Sequence, residues 1–445
     1  MKKILKRTAI VLACLVLLLY LALQFAPLFI KAEYVQGKIL DAVRDNTGYT
    51  LAFHEKLSFS TFPRLALETG PVSLSTQDGA KLLDADNIRL AVGLLPLLSK
   101  KLKIKSILLE SPDIAIVLDE EGRANWQAGT GSGGGEPAPD TEGGGEQGPQ
   151  LELPAAGVDS LRLENGSVAF LDRQSGTRMS LSQLDIEIQD IAPMKAGNVT
   201  TLDLETDFEY GALESPEPEY RFHCSLHTKA GFDPVLLTQR LDDFTLEIRE
   251  PGAEPILLKA NIRGGSLWEE SVALEDLSLQ GYAATLEGNA TYRDSSYGAD
   301  LVLTADPSQS LAALGQPQDF ADPEAFRSLR AVLNLRGDGD SATLRATEIR
   351  LDATTANATI TLPDLSAPAI RYTLEADAVD TDFYTTRALA EYPVPTPLTR
   401  ELIAFLQALD VRGTVHIQNL AVAGAPLHNV TLQASSTNGT LYTQQ

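Results

Sequence analysis

Leu202-Asp203-Leu204-Glu205-Thr206-Asp207-Phe208 alternates apolar and polar side chains with a period of two. A segment with that period separates its faces only as a β-strand, where successive side chains point to opposite sides. The alternation returns at Leu184/Ile186/Ile188 against Asp185/Glu187, at Ile256/Leu258/Ala260/Ile262, and at Ile370/Tyr372/Leu374/Ala376 against Arg371/Thr373/Glu375. Turn signals at Glu164-Asn165-Gly166, Gln174-Ser175-Gly176 and Asp338-Gly339-Asp340 separate such runs at hairpin distances. The chain is therefore predicted to be mainly β and antiparallel. Helical spacing is rare. Leu402, Ile403, Phe405, Leu406 and Leu409 follow Pro395-Thr396-Pro397, and shorter candidates span Pro234 to Leu241 and Pro323 to Leu329, so a few short helices should brace the sheet. The phrase apolar-x-apolar-x-small recurs at Leu277–Gly281, Ile349–Ala353 and Leu420–Gly424, and suggests an internal repeat.

Thr8 to Ile30 holds no charged side chain. As a helix it would run roughly 34 Å at 1.5 Å per residue, enough to cross a bilayer. Lys2, Lys3, Lys6 and Arg7 crowd its front flank, so the positive-inside rule predicts a cytoplasmic tail over 1–7, a single transmembrane helix over 8–30 and all later residues outside the cytoplasm. A cleaved signal peptide is disfavoured, because the apolar run exceeds an h-region and no small-x-small site follows it. Val11-Leu12-Ala13-Cys14 leaves almost no h-region for a lipoprotein box. From Glu33 to Thr47, Val35, Ile39 and Val43 form one stripe of a short amphipathic helix ending at Gly48.

Residues 128–150 carry nine of the 33 glycines and three prolines beside Glu136, Asp140, Glu142 and Glu146, a composition that predicts a disordered linker. It divides a β region at 31–127 from a second at 151–445. With 36 Lys+Arg against 60 Asp+Glu, the formal charge is −24, which argues against a phosphate-tracking surface and so against nucleic acid. Two cysteines, Cys14 and Cys224, exclude a disulfide framework. Gly129-Thr130-Gly131-Ser132-Gly133-Gly134 fits G-x-G-x-x-G, but more glycine and Pro137 follow where a helix would have to open. His223-Cys224-Ser225-Leu226-His227 looks like a ligand set only on a helix; the alternation Phe222/Cys224/Leu226 predicts a strand, on which the histidines stand about 13 Å apart. His54, His416 and His428 have no triad-like neighbours, and no P-loop, H-E-x-x-H or G-x-S-x-G occurs. Neither a catalytic site, a metal nor a cofactor is expected. The Asn-x-Ser/Thr triplets at Asn165, Asn289 and Asn429 carry no signal of their own.

Several stretches together resemble the AsmA family of inner-membrane-anchored proteins of Gram-negative bacteria. They are the basic tail and apolar helix leading into Glu33-Tyr34 and Thr47-Gly48, then Leu57-Ser58-Phe59-Ser60-Thr61-Phe62-Pro63, Asn87-Ile88-Arg89-Leu90 with Leu94-Leu95-Pro96-Leu97, and Gly122-Arg123-Ala124-Asn125-Trp126. Gly166-Ser167-Val168 with Asp172, Leu335-Arg336-Gly337-Asp338-Gly339 and Gly413-Thr414-Val415-His416-Ile417 are similar to later family blocks. The family normally continues past Asn438-Gly439-Thr440-Leu441, so ending at Gln445 reads as truncation of the C-terminal module.

The resemblance implies a periplasmic protein related to bridge-like lipid-transfer proteins, with a long curved sheet forming an apolar groove, a place in outer-membrane biogenesis and lipid homeostasis, and phospholipid and outer-membrane assembly components as partners. The alternation supplies lipid-contact candidates at Ile186, Leu204, Phe208, Leu258, Ile262 and Leu374. The same pattern also closes into a packed sandwich or barrel. A scaffold acting through protein contacts, and an anchored enzyme using scattered carboxylates, are the rival expectations.

Overall fold

The structure, a computed structural model, describes positions within 36–44 and then residues 49–60, 66–76, 79–92, 104–125, 158–191, 199–233, 238–266, 270–366, 369–387, 410–437 and 440–444. The expected membrane helix at 8–30, the linker at 128–150 and the helix around Leu402 to Leu409 lie outside them. Among the described residues no helix is long and apolar enough to cross a membrane. Gln36, Gly37, Leu40, Asp41, Val43 and Arg44 are helical, within the expected amphipathic helix.

The chain divides into two compact units, Met1–Ser225 and Leu226–Gln445. The first holds β1 (Thr50–Phe53), β2 (Ser58–Ser60), β3 (Ala66–Glu68), β4 (Val72–Ser75), β5 (Lys81–Ala85), β6 (Asn87–Val92), β7 (Ile104–Glu110), β8 (Asp113–Leu118), β9 (Ser160–Asp172), β10 (Thr177–Gln189) and β11 (Val199–Ala212). Strand β12 (Tyr220–Asp233) spans the boundary. Within the first unit β9 is the hub. One edge pairs antiparallel with β10. The other is shared, residues 160–164 running parallel to β7 and 167–172 parallel to β8. Two antiparallel branches leave from there, β7-β6-β3-β2 and β8-β5-β4-β1. Val72, Thr76 and Pro112, each under 2% exposed, lie in this unit.

The second unit is a meander of β13 (Thr238–Arg249), β14 (Ile256–Ser266), β15 (Ser271–Gly281), β16 (Ala284–Arg293), β17 (Ser296–Ala305), β18 (Leu329–Gly337), β19 (Ala342–Leu351), β20 (Thr354–Leu362) and β21 (Ala369–Asp380), followed by β22 (Asp410–Val422), β23 (Ala425–Thr437) and β24 (Thr440–Gln444). Neighbours pair antiparallel except β21 and β22, which run parallel.

The architecture is mainly β as expected, but the sheet is mixed instead of antiparallel. A parallel neighbour cannot follow a tight turn and needs a crossover. Long connections precede β9 and β22, and the first contains the linker, so strands from before and after it pair within one unit. The short helices also differ. Thr238 to Leu241 begins strand β13, and Pro323 to Phe326 is a turn before β18. A short helix does form at α1 (Pro307–Ala313), with Pro307 in its first turn, and the Asp306 carboxylate accepts the Gln309 N–H at 2.9 Å. The three recurrent phrases all end at two-residue hairpins: Tyr282-Ala283, Asp352-Ala353 and Ala423-Gly424 connect β15-β16, β19-β20 and β22-β23.

Glu164-Asn165-Gly166 is not a turn but a bulge inside β9. It belongs to a series. Leu163-Glu-Asn165-Gly166, Leu181-Ser-Gln183-Leu184, Leu241-Asp-Asp243-Phe244, Leu274-Glu-Asp276-Leu277 and Ala346-Thr-Glu348-Ile349 each carry a left-handed residue in third place, with φ between 50° and 54°, where the register shifts. The extra residue keeps the flanking apolar pair on the same face although it breaks the period of two. Neighbouring strands supply the missing partners. The N–H groups of Asp243, Asp276 and Glu348 donate to Asn261, Asn289 and Asn357 Oδ1 at 3.1, 3.1 and 3.2 Å, and Asn165 N–H donates to Asp185 Oδ1 at 2.8 Å. Thr206 and Thr228, 5% and 3% exposed, donate their hydroxyls to the bulge carbonyls of Ser182 and Asp242.

Gly288 has φ +148°, and a Cβ there would stand 2.0 Å from the Asp300 carbonyl oxygen. Gly288→Ala should destabilise the protein by roughly 1–3 kcal/mol and lower its thermal midpoint by several degrees. Gly264→Ala, whose Cβ meets nothing nearer than the Gln239 carbonyl at 3.4 Å, should leave the midpoint unchanged or slightly higher; thermal unfolding followed by circular dichroism separates the two.

Candidate functional site

In the first unit Ile186 faces Leu163 on β9 and Leu204 on β11, while Leu181 faces Val168 and Phe208. The alternate positions pair Glu187 with Arg162 and Asp203, so charge collects on the opposite side. Phe208 stacks on Phe222 at 6.2 Å, and Tyr220 stands 6.2 Å from both Phe222 and Tyr210, an aromatic ladder worth about 0.5–1.5 kcal/mol per pair beyond its burial.

In the second unit the apolar face is a lattice. One row runs Leu246, Leu258, Leu279, Leu286, Leu303, Ala331 across six strands. Another runs Leu241, Ile262, Leu274, Ala290, Ala299, Leu335, Leu344, Ile360, Tyr372, Gly413 across ten. Leu374 sits between Ala358 and Val415 on this side. Two of its glycines lie under aromatic rings, Gly337 under Tyr297 and Gly413 under Tyr372, where a Cβ would fall about 2.4 Å from ring carbons. Adjacent positions form the reverse face, as in the row Asn289, Asp300, Asn334, Arg345, Thr359, Thr373. All six candidates, Ile186, Leu204, Phe208, Leu258, Ile262 and Leu374, therefore occupy the apolar side of their own unit and are half-buried.

Burial shows what lies above that face. Among the described residues of the second unit, the apolar side chains under a tenth exposed are seven alanines and Ile417. A filled sandwich would bury the leucines. Here Val272, Leu279, Ile360 and Leu432 are 43%, 38%, 40% and 41% exposed. Six of the seven alanines lie on strands, where taller neighbours on adjacent strands shade them, and among the described residues this is the signature of a single apolar layer.

The polar groups satisfy one another. His223 lies on a strand, as expected, with Nδ1 2.9 Å from Asp207 and Nε2 3.3 Å from Glu205. Burial, then the Asp207 charge, pushes the Cys224 thiol upward and away from a reactive thiolate. The described residues contain no group of three or more His, Cys, Asp and Glu placed to hold a metal. The hydrogen bond from Arg336 and that from Asn334 hold the Asp300 carboxyl below its ordinary value, and the Lys229 ammonium does the same for Asp243.

Residues 1–217 match the profile of the AsmA family. Over those residues the chain is similar to the AsmA family. A stretch of 117 residues is 30% identical to Protein AsmA of Escherichia coli (strain K12), covering 26% of this chain and 19% of that relative. No solved structure matches. The matched residues end within the first unit, and the face of the second rests on its own registers.

The contribution of a carboxyl depressed in the folded state is complete above its unfolded pKa and is lost as pH falls through the folded value. Asp300→Asn should therefore lower the thermal midpoint at neutral pH, and the gap from wild type should close as pH drops below about 4. Thermal melts of the two proteins between neutral and acid pH test this.

Proposed function

We propose that the chain is an inner-membrane-anchored periplasmic protein that binds phospholipid acyl chains on the apolar sheet face, in support of outer-membrane biogenesis and lipid homeostasis. The observation that carries the reading is the apolar layer of the second unit, where Val272, Leu279, Ile360 and Leu432 stay about two-fifths exposed, backed by a mostly polar face at the alternate positions. The similarity to the AsmA family and the likeness to Protein AsmA support association with the cell envelope.

The magnitudes suit reversible carriage. A fully buried methylene is worth ~0.8 kcal/mol, and a chain lying on an open face is covered on one side, so roughly half applies. A sixteen-carbon chain then gains about 6 kcal/mol before association costs, enough to hold a lipid and weak enough to release it. The formal charge of −24 disfavours an anionic headgroup, so recognition falls on the tails.

Photo-crosslinkers at Ile186, Leu204, Phe208, Leu258, Ile262 and Leu374 should capture phospholipid from membranes. Those at Asp203, Lys259 and Thr373, on the reverse face, should capture little. Equal capture from both sets would remove the reading, and a protein captured in place of lipid would favour a scaffold.

A further inference from the structure

A cavity of about 340 Å³ lies at one end of the apolar layer of the second unit, between the parallel pair β21/β22, the β22-β23 hairpin and the loop carrying Phe383 and Tyr384. Val379 and Leu420 line it and also pack against Ala356, Ala376 and Ile417, so its wall continues the apolar face. Leu427 stands at it 47% exposed. Its polar lining consists of Thr354, Asp380, Asn419 and His428, with no lysine or arginine among the described residues.

The loop over this cavity is pinned on three sides. Thr381 N–H donates to the Ala421 carbonyl at 3.0 Å, and the Asp382 carboxylate accepts the N–H groups of Ala423 and Gly424 at 3.0 and 2.8 Å, which ties the loop to the β22-β23 turn. The Tyr384 hydroxyl donates to the Leu351 carbonyl at 3.1 Å, and its ring meets Phe326 edge-on at 4.8 Å and Phe383 at 5.0 Å. The recess is thus built before any ligand arrives.

We propose that this cavity receives the methyl end of a single acyl chain, with the rest of the chain laid along the adjoining face. The inference rests on the acyl-binding reading above and adds a polarity to it: tail end inward, headgroup outward. Size and charge select this occupant. The volume is at the low end of the ~300–1,000 Å³ of small-molecule sites, room for one chain end and not for a two-chain lipid. A carboxylate or phosphate end would meet Asp380 with no lysine or arginine in the lining to offset it, whereas a methyl end asks for no polar partner. A chain end in this recess meets walls from β21, β22, β23 and the Phe383 loop, so each methylene gains more there than on the open sheet.

Two fatty-acid photoprobes test the polarity on the full chain, one with a diazirine at the penultimate carbon and one with it beside the carboxylate, mapped by peptide mass spectrometry. The tail-end probe should label residues 378–384 and 419–428 about tenfold more than the carboxylate-side probe, the factor lost with two buried methylenes. Leu427→Trp, which fills the mouth, should abolish that label with thermal unfolding unchanged. Should that variant fail to fold, Phe383→Ala, which opens the roof, should shift the tail-end label outward onto the sheet. Equal labelling of the cavity by both probes, or tail-end label confined to the Leu258 and Leu279 region, would overturn the pocket and leave acyl binding standing. No labelling by either probe would overturn both.

Discussion

Every feature of this chain depends on the phase of side-chain alternation being kept across many strands. A slip of one residue would move a strand's whole apolar set to the polar side. The protein keeps phase with cross-strand registers such as Leu258 to Leu279 to Leu286 to Leu303, and it resets phase where an extra residue enters. The reset has a fixed chemistry. An acidic or carboxamide residue takes the left-handed conformation, and a side chain from the next strand, Asn261, Asn289, Asn357 or Asp185, accepts its N–H. Asparagine and aspartate tolerate that conformation better than most residues, and bulges add local bend and twist.

A single layer has a thermodynamic consequence. Large side chains that stay two-fifths exposed gain only part of their transfer free energy, so the second unit draws stability from its ladders and from small clusters such as Ala356, Ala376 and Ile417. The stretch at Val72, Thr76 and Pro112 in the first unit is packed far more completely. Exposed apolar surface of this kind in a monomer marks a place where something else binds. On the acyl-binding proposal, function and marginal packing have the same cause.

The strand faces were legible in the sequence because a period of two is a local property. Ile186, Leu204, Phe208, Leu258, Ile262 and Leu374 could be assigned to one side without knowing any partner strand. The mixed pairing was not legible. Nothing local in β9 or β22 records that its neighbour runs parallel, since this follows from what the long connections before them do. The bulges were misjudged for an instructive reason. Glu164-Asn165-Gly166 has turn composition, yet the informative signal is the frame around it, apolar-polar-polar-apolar, repeated at Leu241–Phe244 and Leu274–Leu277. The triplet asparagine Asn289 is a bulge cap, and Asn165 is itself a bulge residue. The cavity under Phe383 and Tyr384 had no sequence signature, because its walls come from residues up to 75 positions apart, Ala353 to His428.

Native mass spectrometry of the full chain purified from cells that express it tests the central claim most directly. An uncovered apolar layer predicts co-purified phospholipid, lost when Leu258 and Leu279 are both changed to aspartate while the fold is retained. Protein that emerges free of lipid under conditions that preserve the fold, or that keeps its lipid in the double variant, would contradict it.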